Sequence, residues 1–120
     1  MLYKSIENIL SFEANDKTTL KEIIHPKNDG IELNYSLAQA SLKIGESSVP
    51  HCLVNQTELY IFLEGKGKIV IGDEQQNIQK GDVVLVPKGA DQHVENQGNK
   101  ELVFLCLVSP PWEESDDQLL

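Results

Sequence analysis

Glycine cuts this sequence into short apolar runs at a spacing of roughly eight to twelve residues, and that spacing settles the fold class before any single side chain does. From Tyr35 to Ile44 the side chains alternate. Tyr35, Leu37, Gln39, Ser41 and Lys43 take one face, and Ser36, Ala38, Ala40, Leu42 and Ile44 the other, which is the two-residue period of a half-buried strand. Glu58 to Leu63 is apolar on both faces, Gly65-Lys66-Gly67 reads as a turn into Lys68 to Ile71, and Gly72-Asp73-Glu74 is a further hairpin signal. Lys80-Gly81-Asp82 opens a strand from Val83 to Val86 that stops at Pro87. Asp91 to Asn96 is a polar strand, and Leu102 to Val108 a very apolar one closed by Pro110-Pro111. Upstream, Thr18 to Ile24 reads as a strand ended by His25-Pro26, with a turn over 27–30. In residues 1–17, Leu2, Ile6, Ile9 and Leu10 fit helical spacing whereas Tyr3 and Phe12 do not, so a short helix and a strand wrapped over the body both satisfy the pattern. With no long helix anywhere, the chain specifies an all-β antiparallel sandwich or barrel.

The 120 residues suffice for one domain with a core of its own, without disulfides or structural metal. No apolar run reaches the length of a membrane span, and the N-terminus lacks the basic start and small-residue cleavage site of a signal peptide, so the expected location is cytoplasmic, away from membranes. Cys52 and Cys106 form no CxxC pair and are expected as reduced thiols there. Net charge is −9, and every cationic side chain is lysine. Without arginine, the usual bidentate clamp for phosphate and carboxylate is missing. This disfavours nucleic acid as a partner and a nucleotide as a cofactor. The acidic excess gathers in the tail at Glu113, Glu114, Asp116 and Asp117, where it reads as a solvated end.

Two blocks carry the chemistry. The first is Gly45-x5-His51-x-Leu53-x4-Glu58-x6-Gly65; the second, 15 residues further on, is Gly81-x5-Pro87-x-Gly89-x2-Gln92-x3-Asn96. Together they resemble the two motifs of the cupin superfamily, over about residues 35–108. The resemblance implies a small single-domain cupin: a double-stranded β-helix or jelly-roll barrel over 35–109, an N-terminal arm over 1–34 packing on the barrel or on a partner subunit, and the acidic tail over 110–120. The chain departs from the family pattern at two ligand positions. Leu53 replaces the second histidine of the first motif, and Gln92 replaces the histidine of the second.

What the resemblance carries over is therefore a reduced set, His51 and Glu58 with Gln92 as a third donor through its amide oxygen. Parity agrees, because His51 and Leu53 share a strand face, as do Gln92 and Asn96, while His93 points the other way unless a bulge reverses it. Imidazole suits zinc, iron, copper and nickel, and oxygen donors suit manganese. A divalent metal in this three-ligand site is one reading. A metal-free polar pocket in which the same three side chains satisfy each other is the alternative. Tyr60 and Phe62 share the face of Glu58 and, with Leu53 and Asn96, are expected to line a pocket for a small, partly apolar molecule. His25 reads as an exposed turn histidine with a contribution to the pocket as the minor option, Cys106 as a buried inert thiol, and Trp112 as a pin for the tail.

Three functions fit. The resemblance implies an oxygenase, isomerase or decarboxylase acting on a small polar metabolite through a metal. The same barrel also serves a small-molecule binding module without catalysis, or a dimeric scaffold. Ile61, Leu63, Leu105 and Leu107 need cover on the second face of their strands, so a homodimer is expected.

Overall fold

The computed structural model describes residues 1–120 and contains two antiparallel sheets. Six strands form the first sheet in the order β1-β2-β3-β10-β5-β8, and five form the second in the order β11-β4-β9-β6-β7. The strands are β1 (Phe12–Glu13), β2 (Thr19–Ile24), β3 (Ser36–Leu42), β4 (His51–Leu53), β5 (Thr57–Glu64), β6 (Lys66–Ile71), β7 (Glu74–Gln79), β8 (Val83–Val86), β9 (Gln92–Asn96), β10 (Leu102–Ser109) and β11 (Asp117–Leu119). This is the all-β barrel expected from the glycine spacing.

Alternation decides what enters the barrel. Along β10, Leu102, Phe104, Cys106 and Val108 are buried, and along β5, Glu58, Tyr60 and Phe62 are buried, with the intervening residues half-exposed. These residues join Ala40, Leu42, Ile69, Ile78, Val86 and Val94 in the interior. The Tyr60, Phe62 and Phe104 rings pack within 6.0 Å of one another.

Gly65 and Gly67 are needed for close approach. Gly65 has φ +90°, and a Cβ there would sit 2.7 Å from the carbonyl of Glu101. A Cβ on Gly67 would strike the Glu95 carbonyl on the adjacent strand. The expected Gly65-Lys66-Gly67 turn is thus a corner at Gly65 alone, and Lys66 and Gly67 already belong to β6.

Two local expectations change, at 27–30 and in the tail, and two stretches left open by the sequence take shape. The turn at 27–30 is one helical turn, Pro26–Asp29, with Pro26 at its start and Gly30 in the left-handed conformation at its end. Residues 1–17 hold a 3-10 turn at Ile6–Asn8 and the short β1. The polar strand β7 pairs along β6 through backbone hydrogen bonds that need no apolar alternation. The tail is not simply solvated: β11 pairs with β4, and Asp116 accepts hydrogen bonds from Asn55 and Gln56 at 2.7 Å each.

The N-terminal arm reaches the barrel of its own chain, because β2 pairs with β3 over Thr19–Glu22. Beyond β1 the backbone turns at Asn15–Asp16, and the Asp16 carbonyl accepts from Val49 N at 2.7 Å. That contact sets the hairpin over the end of the barrel where β4 begins.

Candidate functional site

A cavity of about 380 Å³ opens at this end, between the N-terminal hairpin, β3, β5, β10 and the tail. His51 reaches it from the first residue of β4, and its register partner across the sheet is Gln92, the first residue of β9. Glu58 enters from β5 on the opposite sheet. Glu58 and His51 are 7% and 4% exposed and both line the cavity. Gln92, fully buried behind them, accepts a hydrogen bond on Oε1 from the Tyr60 hydroxyl.

Glu58 governs the electrostatics. Burial lifts its pKa from the ordinary 4.5 to about 7; the His51 ring and the Gln92 amide oppose the rise, and the charges of Asp16 and Asp117 add to it. Its Oε1 is buried with no hydrogen-bond partner. Burial, then the nearby Glu58 charge, also pushes the Tyr60 hydroxyl and the Cys106 thiol well up, so both stay protonated and Cys106 is not a nucleophile.

His51 is held from behind. Its Nδ1 lies 3.1 Å from the carbonyl of Val49, which can only accept, so Nδ1 carries the proton and Nε2 is left with its lone pair in the neutral ring. Nε2 faces Asp16 Oδ2 at 3.9 Å, while Asp16 Oδ1 accepts from the backbone N and hydroxyl of Thr18. His51 and the Glu58 carboxyl, with its pKa near 7, line the same cavity, and a ligand seated between them would meet groups suited to proton exchange.

The remaining expected site residues divide clearly. Leu53 and Tyr60 line the cavity. Phe62 does not; its ring is buried in the aromatic cluster one step deeper in the barrel. Asn96 does not either. Its amide N donates to the carbonyls of Leu42 and Lys100, and its oxygen accepts from Gly98 N, so it fastens a corner of the barrel. His93 lies on the outer face, as parity requires, and pairs with Glu95 at 2.8 Å.

His25 is buried rather than exposed and lines the cavity. Both of its nitrogens are used, Nε2 donating to the Trp112 carbonyl at 2.7 Å and Nδ1 accepting from Lys27 N at 3.2 Å. Trp112 does pin the tail, through its indole N–H to Asp117 Oδ2 at 2.9 Å, and also forms part of the cavity wall. Asp16 and Asp117 were not among the expected residues. The Asn-Asp turn at 15–16 and the tail carry no strand periodicity, so only the packing of hairpin and tail discloses them.

As the side chains stand, the donor set does not fit a tightly held divalent metal. No three His, Cys, Asp or Glu side chains are grouped to hold an ion. Leu53 contributes no donor, and the Gln92 oxygen is already engaged by Tyr60.

A barrel of two such sheets, with a cavity between them reached by the histidine and the glutamate of the first block from opposite sheets, defines a double-stranded β-helix protein. Residues 39–108 match the family described as Cupin domain. The chain belongs to the cupin family. It is 30% identical over 114 residues to the uncharacterized protein MJ1618 of Methanocaldococcus jannaschii, covering 95% of this chain and 90% of that one. Among solved structures it is similar to a predicted oxalate decarboxylase from Thermotoga maritima, with a TM-score of 0.80, 20% identity, and coverage of 91% of this chain and 99% of the other. It is also similar to the polyketide cyclase RemF from Streptomyces resistomycificus, with a TM-score of 0.82, 17% identity, and coverage of 100% and 85%. At these identities the two structural likenesses speak for the fold.

Proposed function

We propose that this cupin holds a small, largely apolar organic molecule inside the barrel, with the polar group of that molecule seated against Glu58 and His51 and exchanging a proton with them. One observation carries the reading. Glu58, a residue of the cavity wall, has a buried carboxylate oxygen with no protein partner, and a buried polar atom in that state calls for a water, an ion or a ligand group. The free lone pair of His51 and the walls of Leu53, Tyr60, Val94 and Phe104 support it. The relation to structures named as a decarboxylase and a cyclase is compatible with enzymatic use of the pocket.

The test is a thermal-shift screen of small metabolites, followed by NMR of the Tyr60 and Phe104 ring signals. Stabilisers should move those rings and lose their effect on Glu58→Gln protein. Hits that act equally on the variant, or that leave the rings unmoved, overturn the reading.

The second reading is a divalent metal (Mn, Fe, Ni, Zn or Cu) held by His51, Glu58 and Gln92 together with water. It is favoured by the fixing of His51 through Nδ1, which is how metal-ligating histidines are commonly oriented. It requires Gln92 Oε1 to meet the ion on its second lone pair while Tyr60 competes for the oxygen's electron density, or to release Tyr60. Metal analysis of untagged protein decides it: near-stoichiometric metal that is lost on His51→Ala supports it, and metal-free protein indifferent to added ions removes it. In either case the two free, buried cysteines suit a reducing cytoplasm.

A homodimer is part of the proposal. On the outside of the six-stranded sheet Leu59, Ile61, Leu63, Leu105 and Leu107 are half-exposed, and Val83 and Leu85 are 59% and 62% exposed. A monomer mass by light scattering at micromolar concentration would refute it.

A further inference from the structure

The charge lining the cavity is one-sided. Acidic residues line it from four parts of the chain: Glu13 and Asp16 from the hairpin, Glu22 from β2, Glu58 from β5, and Glu114 and Asp117 from the tail. Of these Glu13 pairs with Lys17 at 3.2 Å and Glu22 accepts from Asn28, so Asp16, Glu58 and the tail carry the charge that is left over. No lysine lines it. The only basic side chains in the wall are His25, with both nitrogens engaged by the backbone, and His51. An acidic rim alone would be a solvated edge. Here a second observation points inward: Glu58, more than nine-tenths buried, leaves Oε1 unpartnered, and Asp117 leaves Oδ1 buried and unpartnered as well.

An anionic ligand would meet these carboxylates at short range, in surroundings that screen them poorly. A neutral ligand would leave the excess charge uncompensated. An ammonium group supplies up to three N–H donors together with the opposing charge, which is what buried, unpaired carboxylate oxygens lack. Tyr60, Phe104 and Trp112 line the same space and give it an aromatic, apolar wall.

From this arrangement we infer that the cavity is selective for a small organic amine, bound as its cation, with the ammonium directed to Glu58 and Asp16 and a compact apolar body against Tyr60, Phe104 and Trp112. This rests on the reading of the cavity as a small-molecule site and names the chemical class that site takes. The same lining is opposed to a dianion such as oxalate, for which one structure of similar fold is named: this chain has no arginine, and acidic residues line its cavity.

The experiment is calorimetric titration of the full chain, in buffer containing EDTA, with benzylamine and its isosteres benzyl alcohol and benzoate, and then with a panel of arylalkyl and alicyclic primary amines paired with their own alcohols and acids. The ring signals of Tyr60 and Phe104 report the location. At least one amine should bind in the cavity about tenfold or more tighter than its alcohol, since a desolvated charge pair is worth about 1.4 kcal/mol or more, and its acid should not bind. Glu58→Gln should weaken that amine by about tenfold while leaving the alcohol unchanged, and Asp16→Asn, which keeps the turn geometry, by about threefold. Alcohols or acids that bind as tightly as the amines, with the same ring shifts, overturn the charge selectivity and leave the small-molecule site standing. Amine binding that vanishes in EDTA and returns with metal overturns the direct contact. A panel of which no member moves the rings overturns both.

Discussion

Strand β5 passes through two interiors within five residues. At Phe62 the barrel is filled: Phe62, Tyr60 and Phe104 are all within 3% of full burial, with ring centroids 5.4 to 6.0 Å apart and aliphatic side chains from both sheets around them. Four residues earlier, on the same face of the same strand, Glu58 meets a cavity, an unpaired oxygen and a histidine lone pair. The closed end contributes packing, which is close to additive in buried area. The open end carries a buried carboxyl that raises the free energy of the native state above pH 4.5. The comparison shows where this fold keeps its stability and where it can bear a site. It also predicts that substitutions at the two ends respond differently to pH and to ligands.

The largest expected effect lies at the closed end. Phe62→Ala should cost about 3–5 kcal/mol in urea unfolding, with the same cost at pH 5 and pH 8, because what is lost is packing and not charge. A cost below about 1 kcal/mol would mean that the aromatic cluster is not what anchors the barrel.

At the open end the sign reverses. Glu58 has a native pKa of about 7 against the ordinary 4.5, so the folded protein holds its proton more tightly than the unfolded chain. Below pH 4.5 both states are protonated and the group has no effect. Between 4.5 and about 7 the unfolded chain releases the proton first, and stability falls as pH rises. The full loss is roughly 3 kcal/mol above that window, since each pKa unit is worth about 1.4 kcal/mol. Glu58→Gln mimics the protonated form. The variant should match the wild type near pH 4 and exceed it by roughly 3 kcal/mol at pH 8, in ligand-free protein. Denaturation curves across the pH range check this, and parallel curves for the two proteins would break the contrast between the ends.

Tyr60 sits on the boundary between the two ends. Tyr60→Phe keeps the ring in the aromatic cluster but removes the donor to Gln92 Oε1, and a buried acceptor left unpaired costs about 1–3 kcal/mol. The same change frees the one oxygen that the metal reading requires. Zinc affinity measured by dye competition should therefore rise in Tyr60→Phe if Gln92 is a ligand, and stay level if it is not.

The closed end was the legible one. Alternation along Tyr35–Ile44 and the doubly apolar Glu58–Leu63 and Leu102–Val108 report strand faces directly, because burial acts on every second residue. His51 and Glu58 were legible too, since the motif places them on strand faces whose direction parity sets. Phe62 and Asn96 share the face of site residues, but parity fixes a side and not a depth; both lie where neighbouring side chains or carbonyls fill the barrel. The acidic half of the cavity was not legible at all. Asp16 comes from a two-residue turn, and Asp117 from a tail whose charges suggested solvent. His25 misled for a related reason: the Pro26 that signalled an exposed turn instead starts a helical turn that buries the ring beneath Trp112.

Asp16→Asn should have the smallest effect on stability and still be informative. The asparagine oxygen can accept from Thr18 N and Oγ1 as Asp16 Oδ1 does, so the turn and its backbone contact to Val49 survive. What disappears is a charge 3.9 Å from His51 Nε2 and one of the charges that raise the Glu58 pKa. Unfolding free energy should change by less than about 1 kcal/mol, as for other part-exposed charges. The Glu58 carboxyl, followed by its side-chain carbon resonance, should titrate at lower pH than in the wild type, because a neighbouring negative charge that penalised its ionisation is gone. An unchanged Glu58 midpoint would mean that the hairpin covers the open end without being electrically part of it. The charged half of the comparison would then rest on Glu58 and the tail.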